Sequence, residues 1–309
     1  MRLYILLLGV FIGLSACTPM PEATKPKSGP EISTPTPPSA TSRRLQTYYA
    51  GLQTRLKAQG KMREDYDPPD VQFTAADLAK DFERVALFDE YTEINGHFVA
   101  GRSTSSLRRW QQPVRIGMNF GPSVTEEQRA RDTAYVRKFS ARLARLSGLE
   151  IKLTDANRAN FSLLFLNRDE QRTYAASLIG QVAYLTPLIL NEIKTSPRSI
   201  YCVTYAISEK NSTTGYKGVV ILIKGEHRGL MRTSCIQEEM TQALGLANDS
   251  PKARPSIFND DEEFSLLTRH DELLLKMLYD PRLKVGMTLK QAHPIVQEIA
   301  QELMSSVHS

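Results

Sequence analysis

Length, composition and charge set the first limits on this chain. It has 309 residues, a formal net charge of +5 and charged side chains at 24% of its positions. The basic residues are dispersed and form no block suited to nucleic acid, so we expect no nucleic-acid partner. After the first 16 residues, no segment has the roughly 20 consecutive apolar residues that a membrane-spanning helix needs.

The first 17 residues of the chain have a distinct pattern. A short basic start (MR) precedes an apolar run over residues 3–13, which is too short to span a bilayer but suits the core of a signal peptide. The letters LSAC, ending at Cys17, resemble the lipobox of a bacterial lipoprotein. The resemblance implies cleavage after residue 16 and lipidation of the Cys17 thiol. The alternative is an ordinary signal peptide with an incidental cysteine.

The residues after Cys17 predict location and organisation. Thr18 follows it, and by resemblance to the sorting rules of enteric bacteria this favours the outer membrane of a Gram-negative envelope. The lipidated cysteine would hold the protein on that membrane, facing the periplasm. The Pro/Ser/Thr-rich stretch 17–42 cannot bury enough apolar surface to fold, so it is predicted to be an extended tether.

Apolar periodicity predicts helices first and then a strand. Residues 43–65 are predicted to form a helix, and Thr74 with Asp77 forms a capping box for a second. An alternating pattern predicts a strand within residues 110–120. Ser123 and Glu126 are predicted to cap a long helix that runs to Leu146 and ends at Gly148.

The remaining chain is predicted to alternate short strands and helices. The strands are expected at residues 150–153, 161–166, 200–207 and 217–223. Three helices are expected. Two begin at the capping pairs Ser234 with Gln237 and Thr268 with Asp271, and the third begins at Thr288.

Two further cysteines bear on the redox state. Cys202 and Cys235 are an even pair, and in an oxidising periplasm such a pair usually closes as a disulfide. Two buried free thiols are the alternative.

The segment CIQEEMTQALGLANDS, residues 235–250, has the spacing of the zinc-protease pattern H-E-x-x-H-x-x-G-x-x-H. Glu239 stands at the general-base position and Gly245 at the turn glycine. The three histidine positions hold Glu238, Gln242 and Asn248. Because the glycine lets the chain turn back, we expect these three side chains and Glu239 to line one cleft. Since a catalytic zinc needs three good donors, and amide oxygens are poor ones, we expect neither zinc nor another cofactor.

Neighbouring segments resemble the metzincin proteases. A strand, GVVILIKG, precedes the motif, Phe258 in SIFN stands where metzincins carry the methionine turn, and a helix follows in LTRHDELLLKMLY. The implied fold is α+β, a metzincin-like twisted mixed sheet packed on a long helix and a degenerate active-site helix. The implied metzincin-like domain covers 110–287, with a helical region at 43–109 and a helix at 288–309 as additions.

Three further features are spread over nearly all of the predicted folded part. They are the tryptophan before the first predicted strand, C-I-x-E-E-x-x-Q-x-L-G-L-x-N-D, and LYDPRL-x-x-GMT from Leu278 to Thr288. In these features the chain resembles the proteobacterial lipoprotein family called domain of unknown function 2927. It brings no assigned activity. It implies that glutamate, glutamine and asparagine at the former ligand positions are the family's own pattern.

Other candidate ligands are scattered. The histidines are His97, His227, His270, His293 and His308. His227 precedes the motif and is a candidate displaced ligand, although we expect a surface position. The acidic run 260–263 lacks the spacing of a calcium loop.

Two functions are compatible with these features. The first is a zinc-less, metzincin-like binding or scaffold protein that holds a peptide, a peptidoglycan strand or an envelope protein in its cleft. The second is a hydrolase with Glu239 as base and Glu238 as acid or metal ligand. Adjacent helix residues point about 100° apart, so the two carboxylates are not expected to converge, which favours the binding protein.

Overall fold

The computed structural model of the chain describes residues 36–94, 97–208, 215–259 and 261–306. The signal peptide, Cys17, residues 18–35 of the predicted tether, Asp260 and His308 lie outside the described residues. The described residues form eight α-helices and seven β-strands, and five of the strands make one mixed sheet.

The helices have the following bounds: α1 Ala40–Ala58, α2 Ala75–Ala86, α3 Glu126–Ser147, α4 Arg168–Arg172, α5 Pro187–Thr195, α6 Gly229–Gln242, α7 Arg269–Leu278 and α8 Leu289–Ser305. The strands are β1 Phe88–Ile94, β2 His97–Thr104, β3 Val114–Phe120, β4 Ile151–Leu153, β5 Phe161–Leu166, β6 Cys202–Ser208 and β7 Tyr216–Lys224.

The predicted strands of the main sheet are all present, and they form a sheet with both parallel and antiparallel pairs. The order across the sheet is β4-β3-β5-β7-β6. β4, β3, β5 and β7 run parallel, whereas β6 at one edge runs antiparallel to β7. β1 and β2 form a separate antiparallel pair. The sequence pattern did not predict these two strands. The helices α4 and α5 were also missed.

The sheet is buried on both faces, as the alternation along β5 shows. Phe161, Leu163 and Phe165 face the larger core, with α2, α3, α6, α7 and α8, whereas Leu164 and Leu166 face a smaller one. Burial on both faces explains why β5 reads as a continuous apolar run. The smaller core is built from residues 175–193, which cover the opposite face.

Three predicted helix starts are confirmed and three are wrong. Capping boxes open α2 at Thr74, α7 at Thr268 and α8 at Thr288. α1 begins at Ala40, inside the predicted tether, because the hydroxyl of Ser39 caps it by accepting from the N–H of Ser42.

The other two corrections concern the serines that were expected to cap α3 and α6. α3 is capped by Thr125, and the hydroxyl of Ser123 instead donates to Oε1 of Glu170. Ser234 lies inside α6, which begins five residues earlier at Gly229. Both errors have one cause, because each serine stands three residues before a Glu or Gln that has another partner.

α6 is fixed against α3 by buried polar contacts. Arg232 makes a two-pronged ion pair with Asp132 of α3, at 2.8 and 2.6 Å, and both side chains are buried. Nε2 of Gln237 donates to the hydroxyl of Tyr135 at 2.7 Å. Leaving either partner of such a buried pair alone costs several kcal/mol, so the position of α6 is strongly determined.

The end of α6 is fixed just as closely. The indole N–H of the buried Trp110 donates to the carbonyl of Ala243, and the hydroxyl of Tyr279 donates to that of Leu244. Gly245 has a positive φ of 129°, and a Cβ there would lie 2.3 Å from the carbonyl oxygen of Arg108. Only glycine fits this turn.

Residues Pro35–Ser309 form one compact unit. Leu78 of α2 and Val296 of α8 share the larger core with the sheet. Among the helices of the described residues, none has both the length and the apolar character of a membrane span.

Candidate functional site

A cleft of about 460 Å³ lies where the edge strand β6 passes the C-terminal half of α6. We call it the acidic cleft. Residues 202–207 of β6 form one wall, Glu238, Glu239 and Gln242 of α6 contribute to it, and Ser196 and Pro197 lie at its margin. The fold therefore places the protease-like segment beside the only edge of the main sheet that carries an antiparallel strand.

Three of the four side chains that were expected to share one cleft line the acidic cleft. Glu239 and Gln242 are at least nine-tenths buried, and Glu238 is half-buried. Asn248 does not line it, contrary to the sequence-based expectation. Its Nδ2 donates to the carbonyls of Arg84 and Asp249, at 2.8 Å each, so this side chain fixes the loop to the end of α2.

Asp249 takes the place that the sequence pattern gave to Asn248. It lines the acidic cleft, and its Oδ1 accepts a hydrogen bond of 2.8 Å from Nε2 of Gln242. The turn at Gly245 thus returns the chain towards α6, as predicted, but one residue later. An amide–carboxylate hydrogen bond joins the two ends of the turn.

The carboxylates of Glu238 and Glu239 are closer than helix geometry led us to expect. One oxygen of each, together with Sγ of Cys202, lies in a group whose atoms are all within 4.8 Å of one another. Helix geometry alone did not predict this approach, which requires the two side chains to bend. Long side chains of adjacent residues can bend towards a common point even when their Cα–Cβ bonds diverge.

Cys202 is not available as a thiolate, since it forms a disulfide with Cys235. The bond, which confirms the predicted pairing, has a Cα–Cα separation of 5.8 Å and joins β6 to α6. The remaining candidate metal ligands are the carboxylate oxygens of Glu238 and Glu239. Oxygen ligands suit hard cations better than zinc. A disulfide sulfur also carries no negative charge, so it offers little to any metal.

The contact between β6 and α6 is reinforced near Glu239. The hydroxyl of Thr204 donates to the backbone carbonyl of Glu239 at 3.1 Å. Together with the disulfide, this hydrogen bond joins the β6 wall of the acidic cleft to α6. The site is therefore preorganised and does not depend on a ligand to assemble it.

The described residues give the acidic cleft a strong negative potential. Six carboxylates line it, against one guanidinium, that of Arg108, which is paired with Asp89. The carboxylates belong to Asp89, Glu192, Glu238, Glu239, Asp249 and Glu262. Like charges gathered in a cleft with low-dielectric walls reinforce one another and attract cationic groups.

The turn at residues 256–259, which resembles the methionine turn only in its place in the sequence, is buried and hydrogen-bonded. Phe258 is fully buried in the larger core. The carboxylate of Asp271, from the capping box of α7, accepts from the hydroxyl of Ser256 at 2.5 Å and from the N–H of Ile257 at 3.0 Å. α7 and this turn therefore form one unit beneath α6.

His227 lies elsewhere and is fully buried, so the expectation of a surface position is wrong. Its Nε2 is 2.8 Å from the carbonyl oxygen of Tyr201, and its ring packs edge-on against Tyr49 at 4.4 Å. Burial lowers the pKa of His227 to about 3. It is thus neutral at physiological pH, and it is not among the residues that line the acidic cleft.

The other described histidines are also outside the acidic cleft. His270 is buried between Asp81 and Asp271; burial alone would lower its pKa, but the two carboxylates outweigh it and raise the pKa. Nδ1 of the exposed His293 lies 2.6 Å from a carboxylate oxygen of Glu83. His97 lies on β2.

The comparisons identify the family. The family model described as a protein of unknown function (DUF2927) matches residues 75–298. This match covers more than half of the chain, and the chain belongs to that family. A search of the curated proteins returned no match, and neither did a search of the solved structures. The family description names no activity, so function must be argued from the site.

Proposed function

We propose that this protein is a lipid-anchored lipoprotein of the bacterial envelope whose zinc-less, metzincin-like domain binds an extended, basic peptide segment of a partner in the acidic cleft. The observation that carries the proposal is the course of the edge strand β6 along a cleft lined by six carboxylates. Such an edge can add an extended segment as a further strand, and the carboxylates select cationic side chains.

The order of elements supports the metzincin-like part of the proposal. A parallel strand, β7, leads into α6; the glycine turn at Gly245 follows, then the buried turn at Phe258, and then α7. The substituted positions favour binding over zinc chemistry, because an amide at Gln242 already donates to Asp249 where a ligand imidazole would stand. The leader and Cys17 support the anchor.

The binding test uses the full chain in a non-ionic detergent. A fluorescent, alternating Val-Lys peptide is titrated, with an alternating Val-Glu peptide of equal length as the reverse-charge control. We expect saturable binding of the lysine peptide only, weakened roughly tenfold or more by Glu238→Gln/Glu239→Gln. The matched control is Glu126→Gln/Glu127→Gln, which removes two exposed carboxylates at the start of α3. Equal loss in both double variants would count against the acidic cleft.

A hydrolase is the second candidate, and one observation favours it: carboxylate oxygens of Glu238 and Glu239 lie within 4.8 Å of each other. One could act as base and the other as acid or cation ligand. The full chain, purified without added metal and simply dialysed, should retain no stoichiometric zinc if the binding proposal is correct. Stoichiometric zinc would overturn the zinc-less assignment, and cleavage of a fluorogenic peptide pool that Glu239→Gln abolishes would establish the enzyme in its place.

A further inference from the structure

A second pocket, distinct from the acidic cleft, lies between α1, α4 and the loop that follows α5. Its volume is about 480 Å³. We call it the basic pocket, because five cationic side chains line it and, among the described residues, no carboxylate does. The five are Arg44, Arg168, Arg172, Arg198 and Lys224.

None of these five cations makes an ion pair within the described part of the chain. The side chain of Arg44 donates to the hydroxyl of Thr41, and that of Arg168 donates to the amide oxygen of Gln171. The guanidinium of Arg198 stacks over the ring of Tyr48 at 4.9 Å. These partners are neutral, so the positive charge of the pocket is not cancelled where it is concentrated.

Lys224 gives the basic pocket a buried cation. Its side chain is only 2% exposed, and its ammonium group donates to the carbonyl of Pro197. Burial lowers the pKa of Lys224 to about 8, and the buried carboxylate of Glu226 opposes this shift only in part. Burying an ammonium whose charge is only partly compensated is costly, which is expected where a ligand supplies the rest of the counter-charge.

Glu226 is close enough to act on Lys224 and Arg168, but it offsets the charge of the pocket only in part. Its Oε1 accepts the backbone N–H of Arg168 at 2.6 Å, and burial raises its pKa. Asp169 of α4 is hydrogen-bonded to the hydroxyl of Ser39. Neither carboxylate is among the residues that line the pocket.

Ser196 provides an independent sign of a ligand. It lines the basic pocket, is 6% exposed, and its hydroxyl has no hydrogen-bond partner among the described residues. An unsatisfied buried hydroxyl costs about 1–3 kcal/mol unless something bonds to it. An anion held by the surrounding cations would place acceptor oxygens beside this donor.

We propose that the basic pocket binds a phosphate group, with the cations of α1, α4, the loop after α5 and β7 around it and the hydroxyl of Ser196 as a neutral donor. Phosphate matches this set because it presents several acceptor oxygens and up to two negative charges, which arginine and lysine recognise together. A soluble phosphate and a phospholipid headgroup share this chemistry. The proposal is independent of what the acidic cleft binds.

The experiment uses the full chain in a non-ionic detergent and two probes. Inorganic phosphate is titrated by calorimetry at low ionic strength, and water-soluble dihexanoyl phosphatidylglycerol is titrated separately, with dihexanoyl phosphatidylcholine as the zwitterionic control. The variant Arg44→Gln/Arg172→Gln removes two exposed cations of the pocket. The variant Arg137→Gln/Arg145→Gln removes two exposed cations of α3 and is the matched control.

We expect one phosphate per chain, weakened roughly tenfold or more in Arg44→Gln/Arg172→Gln and changed less than about twofold in the control. If phosphatidylglycerol binds with the same dependence on the two variants and inorganic phosphate does not bind, the result supports the pocket and identifies a lipid headgroup as the source of the phosphate. Saturable binding of neither probe, or equal weakening in both variants, overturns the proposal. Unchanged thermal unfolding midpoints establish that both variants are folded.

Discussion

Nε2 of Gln242 donates to Oδ1 of Asp249 at 2.8 Å, across the turn that Gly245 makes after α6. In the zinc-protease pattern, the position of Gln242 belongs to a metal-binding histidine. Here the amide bonds to a carboxylate of the same chain, and both side chains line the acidic cleft. This pair joins the two ends of the motif without a metal.

Gln242→Ala should therefore impair binding more than stability. The lost hydrogen bond is partly exposed, so we expect the free energy of unfolding to fall by about 1 kcal/mol. Binding of the lysine peptide should weaken, and function in cells should be lost, because the hydrogen bond between Gln242 and Asp249 in the acidic cleft is lost. Denaturant unfolding and peptide titration measure both effects. Gln301→Ala, on the exposed face of α8, is the control and should change neither. If Gln242→Ala also changes neither, these residues are only a polar helix face.

Asn248→Ala should impair stability more than binding. The amide of Asn248 is 2% exposed and donates to two carbonyls, of Arg84 and Asp249. Its removal leaves buried acceptors unsatisfied, and we expect a loss of about 2–3 kcal/mol of unfolding free energy. Asn191→Ala, at an exposed position of α5, is the matched control. Unfolding in urea checks this, and equal stability of the two variants would contradict the structural role of Asn248.

Loss of the disulfide should lower stability and loosen the acidic cleft. The Cys202–Cys235 bond closes a loop with a sequence separation of 33 residues, for which the chain-entropy estimate is about 4 kcal/mol. We expect Cys202→Ser/Cys235→Ser to lose stability of this order and to weaken peptide binding, since the bond joins β6 to α6. Thiol titration of the unfolded, unreduced protein provides the chemical check. Two reactive thiols there would disprove the bond.

His227 should make the protein acid-sensitive. Burial lowers its pKa to about 3 from an unfolded value of about 6.5, so between these pH values the unfolded chain binds more protons than the folded one. Stability contributed by the neutral ring is thus present above pH 6.5 and is lost as pH falls, by about 3 kcal/mol between pH 7 and 4.

The measurement compares unfolding free energies at pH 7 and pH 4. His227→Gln retains a donor towards the carbonyl of Tyr201 and should remove most of this pH dependence. His293→Gln, at a side chain that is 57% exposed, is the control and should retain it. An unchanged pH dependence in His227→Gln would contradict the assignment.

Cys17→Ala should abolish the proposed lipidation, since the thiol is the acceptor. We expect the wild-type mature chain to begin at a tri-acylated Cys17 and to fractionate with the outer membrane, and the variant to do neither. Mass spectrometry of the mature N-terminus, with cell fractionation, measures both. Cys202→Ser is the matched cysteine control and should remain lipidated. An unmodified Cys17, or cleavage at another residue, would refute the anchor.

The sequence predicted the main sheet well because its strands carry simple signals. β5 and β7 pair side by side in one sheet and are buried on both faces, so they need nearly continuous apolar runs, which are visible without tertiary information. The capping boxes at Thr74 and Thr268 were found for a similar reason, since each depends on residues only three positions apart. Local rules are sufficient where local contacts decide the structure.

The candidate site was predicted only in part because its geometry depends on distant contacts. The turn at Gly245 could be read from the motif, but Asn248 is drawn away by the carbonyl of Arg84, 164 positions earlier in the chain. Asp249 consequently faces the acidic cleft in its place. His227 is buried by Tyr49 of α1, which is equally remote in sequence. No pattern within the motif carries either contact.

Ser196 and Pro197 belong to the walls of both the acidic cleft and the basic pocket. A short stretch of backbone therefore separates a region of negative potential from one of positive potential, and a low-dielectric partition screens them little from each other. We expect a cation that enters one side and an anion that enters the other to alter the field across this partition. If both sites bind as proposed, their binding energies should be linked, and thermodynamics requires the linkage to be equal in both directions.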